Sequence, residues 1–146
     1  MRFSETVGNR IVFVLSLFGA AVALYLTLAD WNYLSLTCNE IAGCQEVAAH
    51  PASWGFGIKG LESIATALFG LLMFLTVAAL SFVRVIAAGK PMARLAATGQ
   101  LILVVAAVLV YAYLTYLEAF VIRAWCQWCM ATALATLLML PTLLLT

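Results

Sequence analysis

Charge is scarce in this sequence. Asp, Glu, Lys and Arg make up 9% of 146 residues and 66% are hydrophobic, against ~25% charged and ~45–50% apolar in soluble globular domains. That balance excludes a soluble domain and defines an integral membrane protein. Excess charge of either sign is missing too: seven Lys and Arg against six Asp and Glu leave +1, so no basic field draws the chain to nucleic acid. Histidine occurs once, as His50, and neither a Gly-rich phosphate loop nor a Rossmann pattern is present, so no haem or nucleotide motif can be read. The apolar runs lack the in-out alternation of a transmembrane barrel. Helical spans of ~20 residues would use about 80 residues in four passes. The remainder is too short for a second folded domain.

What is present is four apolar blocks separated by charges and turn residues. They predict an all-α, four-helix membrane bundle with helices near 11–29, 63–83, 95–117 and 126–145, and a long loop, 30–62, between the first two. The whole of 1–146 is expected to be one membrane domain with no fused thioredoxin-like domain. The first block, nineteen residues without a formal charge from Ile11 to Ala29, exceeds the ~7–15 residues of a signal-peptide core and is read as a retained span. Arg2, Arg10, Arg84, Lys90 and Arg94 fall on one side, and only Lys59 and Arg123 on the other. Retained cytoplasmic segments carry the excess of Lys and Arg, so both termini are expected in the cytoplasm of a cell-membrane protein, with the 30–62 and 118–125 connections outside. Trp31, Trp54, Trp125 and Trp128 all fall on that outer side, where indole rings favour the interface.

All four cysteines belong to the same side. Cys38 and Cys44 lie in the long loop, and Cys126 and Cys129 lie where the fourth helix begins. As apolar filler they would scatter over helices and both faces. As structural disulfides they would suit an oxidising compartment, but Cys126-Gln127-Trp128-Cys129 is a C-x-x-C motif, a redox geometry whose two thiols behave differently. A helix starting within the motif favours a thiolate through its positive end. Gly43 gives the Cys38–Cys44 loop freedom to close. Two facing dithiols form a relay, because a disulfide moves only by thiolate attack through a mixed disulfide. Electrons entering from a soluble dithiol protein need a two-electron, lipid-soluble acceptor, most simply a quinone held between helices of the bundle.

These residues resemble the vitamin K epoxide reductase family in its bacterial and archaeal form. The resemblance covers essentially the whole chain: Cys38-x5-Cys44, Cys44-x-x-Val47, Phe56-Gly57-Ile58 and Cys126-x-x-Cys129 after Val121-Ile122. DsbB-type proteins do the same job but resemble the chain less, since their C-x-x-C lies in the first outer loop. The resemblance implies a thiol:quinone oxidoreductase in which Cys126 takes electrons from the Cys38/Cys44 pair and Cys129 meets ubiquinone or menaquinone. It also implies a thioredoxin-fold, DsbA-like partner. His50 stands where the family often has Ser, Lys59 where Pro is usual, and Ala133 where animal members carry a Tyr. Simple quinone reduction, rather than epoxide reduction, is therefore expected.

The other candidates have plainer readings beside the functional one. Trp128, Tyr113, Tyr116 and Phe56 are expected to line the quinone, although Trp and Tyr at these positions, Tyr111 included, also suit an interfacial belt. Glu62 and Glu118 read as solvated markers of helix ends, with a proton role as the minority view. Gly19, Ala20, Ala23, Ala106 and Ala107 read as close-packing residues. No metal is expected. The competing reading is a non-enzymatic membrane protein whose thiolates bind Zn or Cu(I), or whose disulfides only brace the loop.

Overall fold

A computed structural model describes residues 4–31, 66–122 and 127–145. Its helices are α1 (Glu5–Asp30), α2 (Thr66–Ile86), α3 (Pro91–Tyr116) and α4 (Gln127–Leu144), and α3 runs on into a π-helical stretch, Leu117–Ile122. No strand occurs among the described residues. All four helices are long and apolar enough to cross a membrane, and the chain is a multi-pass membrane protein.

Local chemistry sets the helix ends. Ser4, in an extended conformation, caps α1 by accepting the Val7 amide at 3.2 Å, and Glu5 adds negative charge at the positive end of the dipole. Arg84 places a cation in the last turn of α2. Gly89, at φ +79°, supplies the left-handed residue of the α2–α3 turn, and Pro91 opens α3, where its missing N–H costs nothing. Both α1 and α3 begin before their charge-free blocks. Charges mark where a chain leaves the hydrocarbon, whereas a helix continues until its backbone is capped, so Arg10 and Arg94 are inside helices.

Each helix packs mainly on two neighbours: α1 and α3 both pack on α2 and α4, closing an up-and-down square bundle. Val12, Ala20, Ala23, Phe74, Val77, Val104 and Met139 form its centre. Many large apolar side chains, among them Phe18, Phe82, Leu95, Ile102 and Leu109, face outward instead. That sorting suits lipid, where association depends on close van der Waals approach and small interior residues rather than on hiding oil from water. Of the small residues singled out in the sequence, Gly19, Ala20, Ala23 and Ala107 are buried, but Ala106 faces outward, one residue off the interior stripe.

Most polar groups inside the bundle find partners, and among the described residues Asn9 Oδ1 is buried without one. Ser16, Thr27, Thr136 and Thr142 each donate to a carbonyl three or four residues earlier, at 2.7–2.9 Å. At the end of the bundle that holds the α2–α3 turn, Gln100 is fully buried nine residues into α3. Its amide donates to Ser81 Oγ at 2.6 Å and to the Val77 carbonyl at 3.1 Å, while its oxygen accepts from Arg84 Nη1 at 2.9 Å. Asn9 of α1 joins this cluster by donating to the Ser81 carbonyl at 3.0 Å. Three helices are thereby held in register at one end.

Among the described glycines the tightest contact is at Gly19, between α1 and α2, where a Cβ would overlap the Phe74 ring. Gly19→Ala is expected to cost about 1–3 kcal/mol through forced displacement of that ring, read as a lower thermal midpoint in detergent. Phe74→Leu should restore part of the loss in the double variant. An alanine variant that melts with wild type would show that the two helices are not in this contact.

Candidate redox site

The fourth helix begins at Gln127, so Trp128, Cys129 and Met130 occupy its first turn. The first amides of a helix have no intrahelical acceptor, and they give this end a partial positive charge. Cys129 lies there, half-buried. Cys126, Cys38, Cys44 and Phe56, the other expected site residues, lie outside the described residues.

Around Cys129 the bundle supplies hydroxyls and rings. Thr132, 2% exposed, donates its hydroxyl to the Cys129 carbonyl at 2.8 Å. The Tyr111 side chain of α3 comes within polar reach of the Thr132 hydroxyl and of Cys129. Gly70 of α2 makes room for this: a Cβ there would stand 3.2 Å from the Tyr111 oxygen. On the other flank Trp128 packs against Tyr25 of α1, ring centres 5.1 Å apart and planes inclined at 56°. Residues from all four helices thus converge on the Cys129 end.

The tyrosines of α3 divide by face. Tyr113 and Tyr116 are 54% and 55% exposed, and Tyr116 pairs with Phe120 at 5.3 Å. Both are set toward the surroundings of the bundle, the placement of an interfacial belt. Tyr111 is the one that turns inward, on the stripe of Gln100, Val104 and Ala107. Sequence reasoning grouped it with the other two. The available signal was its spacing from Gln100, eleven residues or three helical turns, since a lone amide in an apolar helix points to the interior. Thr132 was not singled out, because a hydroxyl that bonds its own helix is ordinary in a span.

Glu118 corrects an expectation. A solvated helix-end marker should be exposed, but Glu118 is 4% exposed, within the π-helical turn. The widened turn follows directly after Tyr116. Seven residues separate Glu118 from Tyr111, about two turns, which keeps it on the interior side of the helix.

A quinone asks for aromatic walls, a hydrogen-bonding group and an adjacent thiol. Trp128 with Tyr25, Tyr111 with Thr132, and Cys129 fit those needs at one end of the bundle.

The sequence model described as the vitamin K epoxide reductase family matches residues 10–144, and the chain belongs to that family. No curated protein matches the chain at a significant level. Membership makes it a membrane oxidoreductase of quinone-linked disulfide chemistry, in a family that generally works with thioredoxin-like partners.

The Tyr111–Thr132–Cys129 chain can be checked by its coupling. Thr132→Val keeps the shape and removes the hydroxyl beside Tyr111, with an expected loss of about 1–3 kcal/mol in reversible unfolding. Adding Tyr111→Phe to that variant should cost little more or recover stability, because the phenol left without a polar neighbour is gone. Losses that simply add would contradict the coupling.

Proposed function

We propose that this protein is a thiol:quinone oxidoreductase that reoxidises a thioredoxin-fold, DsbA-like protein and passes its electrons to ubiquinone or menaquinone, thereby supporting disulfide formation. The observation that carries this reading is Cys129 in the first turn of α4, half-buried beside Trp128 and backed by the Thr132 and Tyr111 hydroxyls. A sulfur so placed can face both its C-x-x-C partner and an acceptor that arrives through the bilayer.

In this mechanism the reduced partner attacks the Cys38–Cys44 disulfide and leaves as a disulfide, and the loop dithiol then reduces Cys126–Cys129. The resulting dithiol gives up two electrons and two protons as its S–S bond forms again. The quinone, when bound, supplies the two-electron sink. Trp128 and Tyr25 pack as an aromatic wall, and the positive end of α4 steadies negative charge on the Cys129 sulfur. The direction is sound in energy, because a partner near −120 mV of the DsbA type stays oxidised only against a still stronger oxidant. The distribution of Lys and Arg supports cytoplasmic termini and cysteines on the outer face.

The test is quinone reduction by the purified chain with a reduced DsbA-type donor. Wild type is expected to turn over and Cys129→Ala to lose turnover entirely. A Cys38→Ala/Cys44→Ala variant should fail with the protein donor yet still reduce quinone with dithiothreitol. Turnover that survives Cys129→Ala, or a wild type inert toward every quinone, would contradict this function.

A further inference from the structure

Glu118 has no part in the electron path, and it is a buried acidic side chain at one end of a membrane bundle. A carboxyl in such a place is costly and generally tied to function. Its position is fixed by two observations. Tyr111 and Thr132 lie at one level, a rung between the antiparallel helices α3 and α4. Counted from that rung, Cys129 lies three residues along α4 and Glu118 seven residues along α3, both toward the same end of the bundle. At ~1.5 Å per residue those offsets are about 4.5 Å and about 10 Å, a difference of about 6 Å along the axis. The second observation is that Glu118 is 4% exposed and continues the buried stripe of Gln100, Val104 and Ala107. It therefore lies on the interior side of α3, beyond Cys129 toward the bundle end, where protons exchange with water.

Reoxidation of the dithiol breaks two S–H bonds and forms one S–S bond, while the quinone gains two electrons and two O–H bonds. Electrons pass through the sulfurs, but each proton needs a group to take it and return it. The Thr132 proton is committed to the Cys129 carbonyl.

We propose that Glu118 is the proton-relay residue of this site: it takes a proton released from the Cys129 thiol and delivers it to an oxygen of the quinone being reduced. The second thiol proton covers the other oxygen, and Glu118 ends each cycle as it began. The inference rests on the quinone-reducing function proposed above and assigns that reaction its proton path.

The experiment compares wild type with Glu118→Gln and Glu118→Asp in two ways. The first is steady-state quinone reduction. Glu118→Gln keeps size and hydrogen bonding but cannot carry a proton, and should lower kcat about 100-fold with KM for quinone within about twofold of wild type. Its solvent deuterium isotope effect should rise, and Glu118→Asp should recover much of the rate. The second readout needs no turnover: the infrared difference spectrum between the dithiol and disulfide forms of the quinone-free chain. A carboxyl band should respond to the redox state of the cysteines in wild type, shift in Glu118→Asp and be absent in Glu118→Gln. Wild-type kcat and isotope effect in Glu118→Gln would overturn the relay and leave the quinone reductase standing. So would a redox difference spectrum without a carboxyl band, or a kcat loss that tracks only a lower melting temperature. A wild type that reduces no quinone would overturn both.

Discussion

A polar group inside a bilayer has no water to turn to, and most of this structure follows from that constraint. Helices satisfy their own backbones. Ser16 and the threonines of the interior bond to carbonyls of the helix that carries them, and outward-facing Thr76 and Thr98 do the same. With hydroxyls satisfied locally, the interior can be built from small residues, and helices approach until the Phe74 ring rests on Gly19. Large apolar side chains are left to the outer surface.

Where a polar side chain reaches across helices instead, it does so near one end of the bundle or the other. Gln100, Ser81, Arg84 and Asn9 tie α1, α2 and α3 together beside the α2–α3 turn. At the opposite end Tyr111 reaches Thr132, which holds the carbonyl of Cys129. The first cluster fixes register. The second places a thiol, a phenol and, further out, a buried carboxyl within one end of the frame. The proposed chemistry needs that separation, because a dithiol that reacted with a soluble partner and a quinone would require a frame that stays assembled while disulfides open and close.

The architecture was legible because charges and turn residues divide the sequence cleanly into four apolar blocks, and lipid permits little besides helices for such blocks. Of the C-x-x-C motif, Cys129 falls in the first turn of α4. Facing was harder to read. In a helix apolar on every side hydrophobicity carries little phase, so Tyr111, Tyr113 and Tyr116 look alike until Gln100 is recognised as the interior reference. Glu118 was misread because a charge at the edge of an apolar block usually meets water, and nothing in the sequence marks the π-helical turn that encloses it. Cys38, Cys44 and Phe56 lie outside the described residues, so their roles rest on motif and family.

Everything functional here depends on Cys126 and Cys129 being the dithiol that a quinone oxidises. The direct measurement uses a Cys38→Ser/Cys44→Ser chain, reduced under anaerobic conditions, freed of reductant and mixed with one equivalent of ubiquinone. Hydroquinone is counted by absorbance and the remaining thiols by alkylation and mass spectrometry. The account predicts one hydroquinone per chain and loss of both alkylatable thiols together, joined as one disulfide. Thiols that stay alkylatable while quinone is consumed, or a quinone left untouched, would contradict it.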